Sequence, residues 1–494
     1  MDPTNIALHA LGVDLVGFGV RLVALLVIPV NRRPSSAMAW LLAIFLIPYV
    51  GIIAFLMIGN PKLPKRRRAQ QREINSMLDV LTRDTPELEQ EPGQEWVGSI
   101  ARLNRNLGSL PMIGGNAATL IEDYDDSLRQ MASAVDDAEH YVLCEFYILS
   151  LDAATTPFFA ALERAVERGV TVHVLFDHIG SRRVAGYRAT TRRLTAIGAQ
   201  WRPMLPVMPL KGKYQRPDLR NHRKILVLDG RVGFMGSLNL IDRSYHKPAN
   251  LKRGLKWQEL VTRVEGPVVQ AMNAVFLSDW YSETDVILTG QAQLLAAPGT
   301  PVAGLAVLRP GDLDCQVVPS GPGFDNDNNL KLFNSLLYQA RHRVSITSPY
   351  FVPDESLIAA ITTAAERGVA VELFVGAVAD QRMVYHAQRS YYEVLLRAGV
   401  RIYLYPAPYI LHAKHLTIDD DLAVIGSSTM DMRSFGLNLE VTLMISGRSY
   451  ADAMRAVEDH YRSVSTELTL EEHLHQNLAT RLFDNLARLT SALQ

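Results

Sequence analysis

His222-Arg223-Lys224-Ile225-Leu226-Val227-Leu228-Asp229, closed by Gly236-Ser237-Leu238-Asn239, decides the fold because it occurs twice. The second copy is His412-Ala413-Lys414-His415-Leu416-Thr417-Ile418-Asp419, closed by Gly426-Ser427-Ser428-Thr429. Both read His-x-Lys-x4-Asp-x6-Gly-Ser. A strand alternates faces at every residue, so a His and a Lys two apart point the same way. The run after each lysine returns the chain to a core and brings the Asp near the strand end. A second strand, 232–235 or 422–425, then delivers Gly-Ser beside the first. Each copy is thus expected to place an imidazole, an ammonium and a hydroxyl on one surface.

The neighbours of the motif repeat as well. Glu167-Arg168-Gly169-Val170-Thr171-Val172 returns as Glu366-Arg367-Gly368-Val369-Ala370-Val371. Glu145-Phe146-Tyr147-Ile148 has its counterpart in Ser348-Pro349-Tyr350-Phe351, and Ala196-Ile197-Gly198-Ala199 in Arg397-Ala398-Gly399-Val400. Strand-like runs (141–148, 170–176) alternate with a helical one (157–168), which implies an α/β fold of mixed β-sheets flanked by helices. Two homologous lobes are expected, 110–285 and 312–494, joined by an Ala/Gly/Pro-rich connector at 286–311. The second lobe ends in a stripe at helical spacing, Leu474, Leu478, Leu482, Leu486, Leu489 and Leu493, read as packing on the core in preference to lying on a bilayer.

A length of 494 residues calls for more than one core. Lys and Arg number 50 against 51 Asp and Glu, so the basic excess of a nucleic-acid binder is missing. The two cysteines, Cys144 and Cys315, make neither a disulfide framework nor a metal cluster and are read as small buried hydrophobes. Residues 6–58 are almost wholly apolar. Met38–Gly59 carries no charge and exceeds the roughly 20 residues of a bilayer span, so a transmembrane helix kinked at Pro48 is expected there. The stretch 6–30 holds Asp14 and Arg21 on one helical face and is read as the other arm of a transmembrane hairpin, with an interfacial or re-entrant helix as the alternative. The first basic residue, Arg21, lies behind the apolar start, which does not fit a cleaved signal peptide. Residues 1–60 are therefore the expected membrane anchor and 61–109 a basic, polar linker. Lys62, Lys65, Arg66, Arg67 and Arg68 outweigh Arg32 and Arg33, which puts the lobes and the N-terminus in the cytoplasm.

Imidazole serves as nucleophile or proton carrier near neutral pH. Lysine holds phosphate oxygens as a point charge, and Ser or Asn adds neutral donors. With two copies, one His can attack phosphorus while the other protonates the leaving alkoxide. No His/Cys or carboxylate set at metal spacing accompanies them, so neither metal nor cofactor is expected.

The duplicated motif resembles the signature of the phospholipase D superfamily. Asn31-Arg32-Arg33-Pro34, Ala39-Trp40-Leu41-Leu42, Pro48-Tyr49-Val50-Gly51 and Ile58-Gly59 resemble the membrane anchor of bacterial cardiolipin synthases. Arg220-Asn221-His222-Arg223-Lys224, Asp431-Met432-Arg433-Ser434 and the downstream acids Glu259 and Glu440 are similar to that family too. Thr429 stands where the family usually has Asn, so the half-sites are not symmetric. The resemblance implies transfer of a phosphatidyl group from one phosphatidylglycerol to another, giving cardiolipin and glycerol through a phosphatidyl-histidine. It implies a multi-pass protein of the bacterial inner membrane, without nucleic acid, and leaves a homo-oligomer open. It makes His222, Lys224, Asp229, His412, Lys414 and Asp419 catalytic, and Ser237, Asn239, Ser427, Thr429, Glu259 and Glu440 substrate-binding. The aspartates are expected to orient the site or to serve the strand turn. His222 is read as nucleophile, His412 as acid and base, and Lys211, Lys213, Arg216 and Arg220 as a basic approach. A hydrolytic phospholipase D is the second reading.

Overall fold

The computed structural model describes residues 16–30, 32, 34–60, 62–83, 88, 94–208, 215–288, 310–324 and 327–489. Asp14, Asn31, Arg33, Lys211, Lys213, Leu493 and most of the 286–311 connector lie outside them. The chain divides into two units, Met1–Lys62 and Leu63–Gln494.

The larger unit is built twice over. Its first half supplies β1 (Ile113–Ile121), β2 (Tyr141–Phe146), β3 (Thr171–Asp177), β4 (Gln200–Met204), β5 (Lys224–Leu228), β6 (Val232–Gly236), β7 (Lys256–Gln258) and β8 (Val261–Glu265). Seven of them lie in the order β1-β8-β6-β5-β2-β3-β4. β2 is buried at every position, as a strand covered by helices on both faces must be. The helices Thr156–Glu167 and Tyr187–Ala196 are the crossovers that let β2, β3 and β4 run parallel. Phe158, Phe159 and Leu162 of the first crossover are fully buried, each contributing about 1.5–3 kcal/mol of transfer free energy.

The second half supplies β9 (Leu313–Ser320), β10 (Arg343–Thr347), β11 (Ala370–Gly376), β12 (Arg401–Tyr405), β13 (Tyr409–Leu411), β14 (His415–Ile418), β15 (Leu422–Gly426), β16 (Glu440–Ser446) and β17 (Thr466–Leu468). Their order, β9-β16-β15-β14-β10-β11-β12 with β17 on the far edge, copies the first half strand for strand. β1 and β9 pair antiparallel, so the two lobes form one 15-stranded sheet. β7 and β13 leave this sheet and pair with each other, parallel, Tyr409 opposite Lys256 and Leu411 opposite Gln258.

The stretch expected as a linker carries two docked helices. Glu95–Gly108 buries Val97, Ile100 and Asn104, and the Asn104 amide donates to Gln316 Oε1 at 3.0 Å. Lys65–Thr82 is fastened to the end of the first lobe: Arg67 pairs with Glu283 at 2.8 Å, Arg66 with Asp285, and Gln70 donates to Asp285 at 2.7 Å. Part of the basic flank is thus neutralised by the end of the helix Val269–Thr284.

In the smaller unit the single helix expected over 38–59, kinked at Pro48, does not form. Pro34–Leu46 and Pro48–Ile58 are separate helices, because Ile47 leaves helical geometry at φ −134°, ψ 75°. A proline disfavours the α conformation in the residue before it, and its missing N–H is harmless in the first turn of the next helix. The second helix folds back on the first, with the Trp40 and Phe55 rings 5.4 Å apart. A Cβ on Gly51 would lie 2.8 Å from the Ile44 Cα, so only glycine admits this approach. Thirteen and eleven residues reach only about 20 and 17 Å, short of the ~30 Å hydrocarbon core. Among the described residues no helix is long and apolar enough to cross a membrane. The unit nevertheless exposes Phe18, Leu26, Met38, Leu42, Val50 and Leu56, each more than half accessible.

The terminal leucine stripe also departs from expectation. In the helix Leu478–Arg488 and just beyond it, Leu478, Leu482, Leu486 and Leu489 are 60–80% exposed, while Asp484 and Ala487 are buried. The polar side docks, for a reason visible in the partners of Asp484 described below.

Candidate active site

The two motif loops face each other across the line where the lobes meet, and backbone hydrogen bonds set their register. The N–H of His222 donates to the Leu439 carbonyl at 2.8 Å, and that of Leu439 to the Arg220 carbonyl at 2.8 Å. On the other side the N–H of His412 donates to the Gln258 carbonyl at 2.7 Å, at the end of the β7–β13 ladder. The next residue after Leu439 is Glu440, and after Gln258 it is Glu259. Each bond therefore delivers a carboxylate from one lobe to the histidine of the other. His222 Nδ1 lies 3.1 and 3.2 Å from the two Glu440 oxygens, and His412 Nδ1 lies 2.9 Å from both oxygens of Glu259. At His222 the Glu440 carboxylate accepts, so Nδ1 carries the proton and Nε2 keeps its lone pair; at His412 the proton between Nδ1 and Glu259 can sit on either, and when Glu259 holds it Nε2 is the protonated nitrogen.

Both histidines line a cavity of about 670 Å³. Tyr147 and Tyr350, which hold the same place in the two copies, flank them: the Tyr147 ring lies 4.8 Å from His222 and the Tyr350 ring 6.1 Å from His412. Neither tyrosine is singled out by the motif, although the repeat that contains them was legible. A cross-lobe chain was missed as well. Tyr350 donates to Asp380 at 2.8 Å, and Asp380 pairs with Lys247 at 2.7 Å, whose ammonium sits 5.1 Å from the Trp257 ring. Behind the histidines lie the buried ammonium groups. Lys224 donates to the His222 carbonyl and sits 5.4 Å from the Tyr147 ring. Lys414 donates to the His412 carbonyl at 2.7 Å and lies 3.2 Å from both ring nitrogens.

Burial dominates the electrostatics. It pushes both imidazoles down, His222 against the pull of Glu440, and His412 further with Lys414 and Lys224 adding to it. It also lowers Lys224 to about 7 and Lys414 to about 8. The acids diverge. Burial lifts Glu259 to about 7 despite Lys414, whereas at Glu440 burial is outweighed by His222 and Lys224 and the carboxyl stays below its usual range.

Several expected substrate contacts are instead supports. Glu259 and Glu440 grip histidines and do not line the cavity. Ser237 accepts the Leu260 N–H at 3.0 Å and Ser427 that of Val441 at 3.0 Å, clipping the strand that follows each acid. A Cβ at Gly236 or Gly426 would run into the carbonyl of Leu260 or Val441, which explains Gly-Ser as a pair. Asn239 and Thr429 reach the cavity wall, but their polar atoms are engaged. Asn239 accepts the Ile148 N–H at 3.0 Å and donates to Tyr245 at 2.9 Å, which in turn donates to Glu259 at 3.0 Å. Thr429 donates to Asp431 and meets Ser434 at 2.6 Å, and Ser434 donates to Glu440 at 3.0 Å.

Asp229 and Asp419 are not at the cavity. Asp229 accepts the N–H groups of Glu139, His140 and Tyr141 at 2.7–2.9 Å, and Asp419 those of Arg341, His342 and Arg343 at 2.7–3.0 Å. Five residue steps at about 3.3 Å each separate Asp229 from Lys224, too far for both to meet one phosphate. Of the expected basic approach, Arg216 pairs with Asp218, and Arg220 pairs with Asp177 at 3.3 Å while lining the cavity; Asn221 donates to Glu145 at 2.8 Å, and inside the motif Arg223 is buried against Asp279.

Residues 129–280 and 333–463 match a family described as cardiolipin synthase, PLD-like domain, and 20–60 match a phospholipase D-nuclease N-terminal family. Cardiolipin synthase A of Escherichia fergusonii is 31% identical over 471 residues, covering 93% of this chain and 94% of the relative, and that of Escherichia coli is identical to the same extent. The crystal structure of phosphatidylserine synthase from Haemophilus influenzae superposes with a TM-score of 0.60 at 15% identity, over 80% of this chain and all of that one.

Proposed function

The chain belongs to the cardiolipin synthase family of phospholipase D-like proteins, a family of phosphatidyltransferases, and from that membership we propose how it joins two phosphatidylglycerol molecules. His222 Nε2 attacks the phosphorus of the first lipid, forming a P–N bond as the P–O bond to glycerol breaks. The leaving glycerol oxygen takes a proton from His412 Nε2. The second lipid's hydroxyl then returns a proton to His412 while its oxygen attacks phosphorus. The P–N bond breaks and cardiolipin is released. One phosphodiester replaces another, so no nucleotide is consumed.

The observation that carries the reading is the unequal pair of acids. Glu440, held below the usual carboxylate range, keeps Nδ1 of His222 as a donor and Nε2 as a nucleophile. Glu259, lifted to about 7, makes with His412 a pair that gains and loses a proton near neutral pH, which acid-base work needs. Lys224 and Lys414, protonated once a lipid phosphate enters, stabilise the charge on its oxygens. The test is purified enzyme with headgroup-labelled phosphatidylglycerol, products separated by chromatography and weighed. Cardiolipin and free glycerol are expected; phosphatidic acid as the main product would mean hydrolysis instead.

The smaller unit, with its exposed apolar side chains, is the membrane attachment in this reading, and the bacterial inner membrane its location. Its two folded-back helices enter the bilayer from one face, with the lobes cytoplasmic. A reporter active only outside the cytoplasm, fused after Gln494, should stay silent; activity would reverse the orientation.

A further inference from the structure

The helix Leu478–Arg488 is mounted inside out. Its one carboxylate, Asp484, points into the protein, where His386 Nδ1 meets it at 2.6 Å and Arg389 donates at 3.2 Å. The Phe483 ring packs 4.5 Å from His386. This polar clamp leaves Leu478, Leu482, Leu486 and Leu489 turned outward, and Met383, on the helix that holds the clamp, is 43% exposed. Burying a carboxylate against a histidine and an arginine while exposing four leucines is costly in water, and it makes sense only if something apolar meets the leucines.

We propose that this helix is a second membrane contact, lying in the plane of an anionic lipid surface beside the mouth of the active site. Charge favours lipid as the occupant. With Asp484 turned inward the helix presents no outward carboxylate: Arg481 lies 3.6 Å from Glu393, the Arg488 guanidinium 4.7 Å from the Tyr391 ring and that of Arg382 5.9 Å from the Phe483 ring, three guanidinium groups against one neighbouring acid. Position favours it too. The helix Arg382–Arg389 that holds the clamp also lends Val384 to the cavity, with Gln381 just before it, so one helix connects the leucine face to the site. Eleven residues are far too few to span and suit an interfacial helix. The inference rests on the reading of a lipid substrate: a helix at the interface would hold the cavity mouth where the headgroups are.

Cys144 and Cys315 are both fully buried, so Leu486→Cys in the full chain offers one accessible thiol. Labelled with a polarity-sensitive fluorophore in vesicles of phosphatidylethanolamine and phosphatidylglycerol, it should be quenched by lipids carrying a quencher on the acyl chain, and less so without the anionic lipid. A label at Glu471→Cys should not be quenched. Absence of quenching in the Leu486→Cys variant, or cross-linking of its new thiol to another copy or to residues 16–58, would overturn the proposal. Leu482→Gln with Leu486→Gln should lower kcat/KM about tenfold on vesicles and leave turnover of short-chain, monomeric phosphatidylglycerol unchanged. Equal loss on both substrates would mark the helix as structural and sink the idea. If the wild type makes no cardiolipin from either substrate, the family reaction fails while the quenching still reports on the helix.

Discussion

Gln258 and His412 are joined backbone to backbone at 2.7 Å, and this bond seats Glu259 of one lobe under the His412 imidazole of the other. The mirror bond from His222 to Leu439 does the same for Glu440. The pairs share geometry and differ in proton affinity, and the first predictions turn on that difference.

Glu440→Gln removes the charge that holds the proton on Nδ1 of His222 and puts there an amide whose NH2 can donate to Nδ1, shifting the proton to Nε2. Loss of an equivalent orienting carboxylate costs about 10⁴-fold in kcat in the serine protease triad, and a fall of about 10²–10⁴ is expected here. Glu259→Gln should also slow turnover, but a substrate with a good leaving group in place of glycerol should restore its first step. Pre-steady-state release of the leaving group separates the two, and equal rescue of both variants would contradict the assignment.

His222→Ala and His412→Ala should each reduce synthesis to a few per cent at most, since the two act as one unit. His412→Asn, given the same activated lipid, should accumulate an adduct on His222 that peptide mass spectrometry locates. An adduct on His412 in the His222→Asn variant would reverse the roles.

Asp229→Ala leaves three backbone N–H groups without their acceptor. The expected cost is about 2–4 kcal/mol of stability, read as a lowered unfolding temperature in detergent, with little change in turnover per folded molecule. Asp419→Ala should behave alike. A large drop in kcat at full stability would return these residues to the chemistry.

Lys224, lowered by burial to about 7, must be protonated to hold phosphate, so kcat/KM should fall as pH rises through about 7–8, the range set with Lys414. Stability follows the opposite sign. Below pH 7 both folded and unfolded lysine are charged, and the burial penalty is fully present. Between about 7 and 10.5 the unfolded state binds more protons, so the penalty is relieved as pH rises. Lys224→Met should therefore be inactive yet more stable, by about 0.5–2 kcal/mol near pH 7, with the gain shrinking toward pH 10. Melting curves at both pH values check it.

The repeat made the lobes, the mixed sheet and the facing histidines readable, because strand periodicity and motif spacing act over a few residues. What lay beyond reach depends on pairing across the lobes. Nothing near Glu259 says that it serves His412, more than 150 positions away. Tyr147 and Tyr350 carried a signal in the repeat that the motif overshadowed. Pro48 carried one as well: hydropathy argued for continuity, and the backbone preference before proline won at Ile47. For the leucine stripe, periodicity located the apolar face correctly but could not say which face would dock, since that was decided by Asp484 finding His386 and Arg389.

The β1–β9 seam also bears on safety. A free lobe would carry a histidine with no acid behind it and a bare sheet edge, so neither half can act on a lipid before the other has docked. Under the proposed mechanism assembly is an interlock: a half-made molecule would be chemically disarmed. A phosphodiester-cleaving enzyme surrounded by the cell's own phospholipid gains from that arrangement, because the only state able to form the covalent intermediate is also the one in which the second histidine is in place to resolve it.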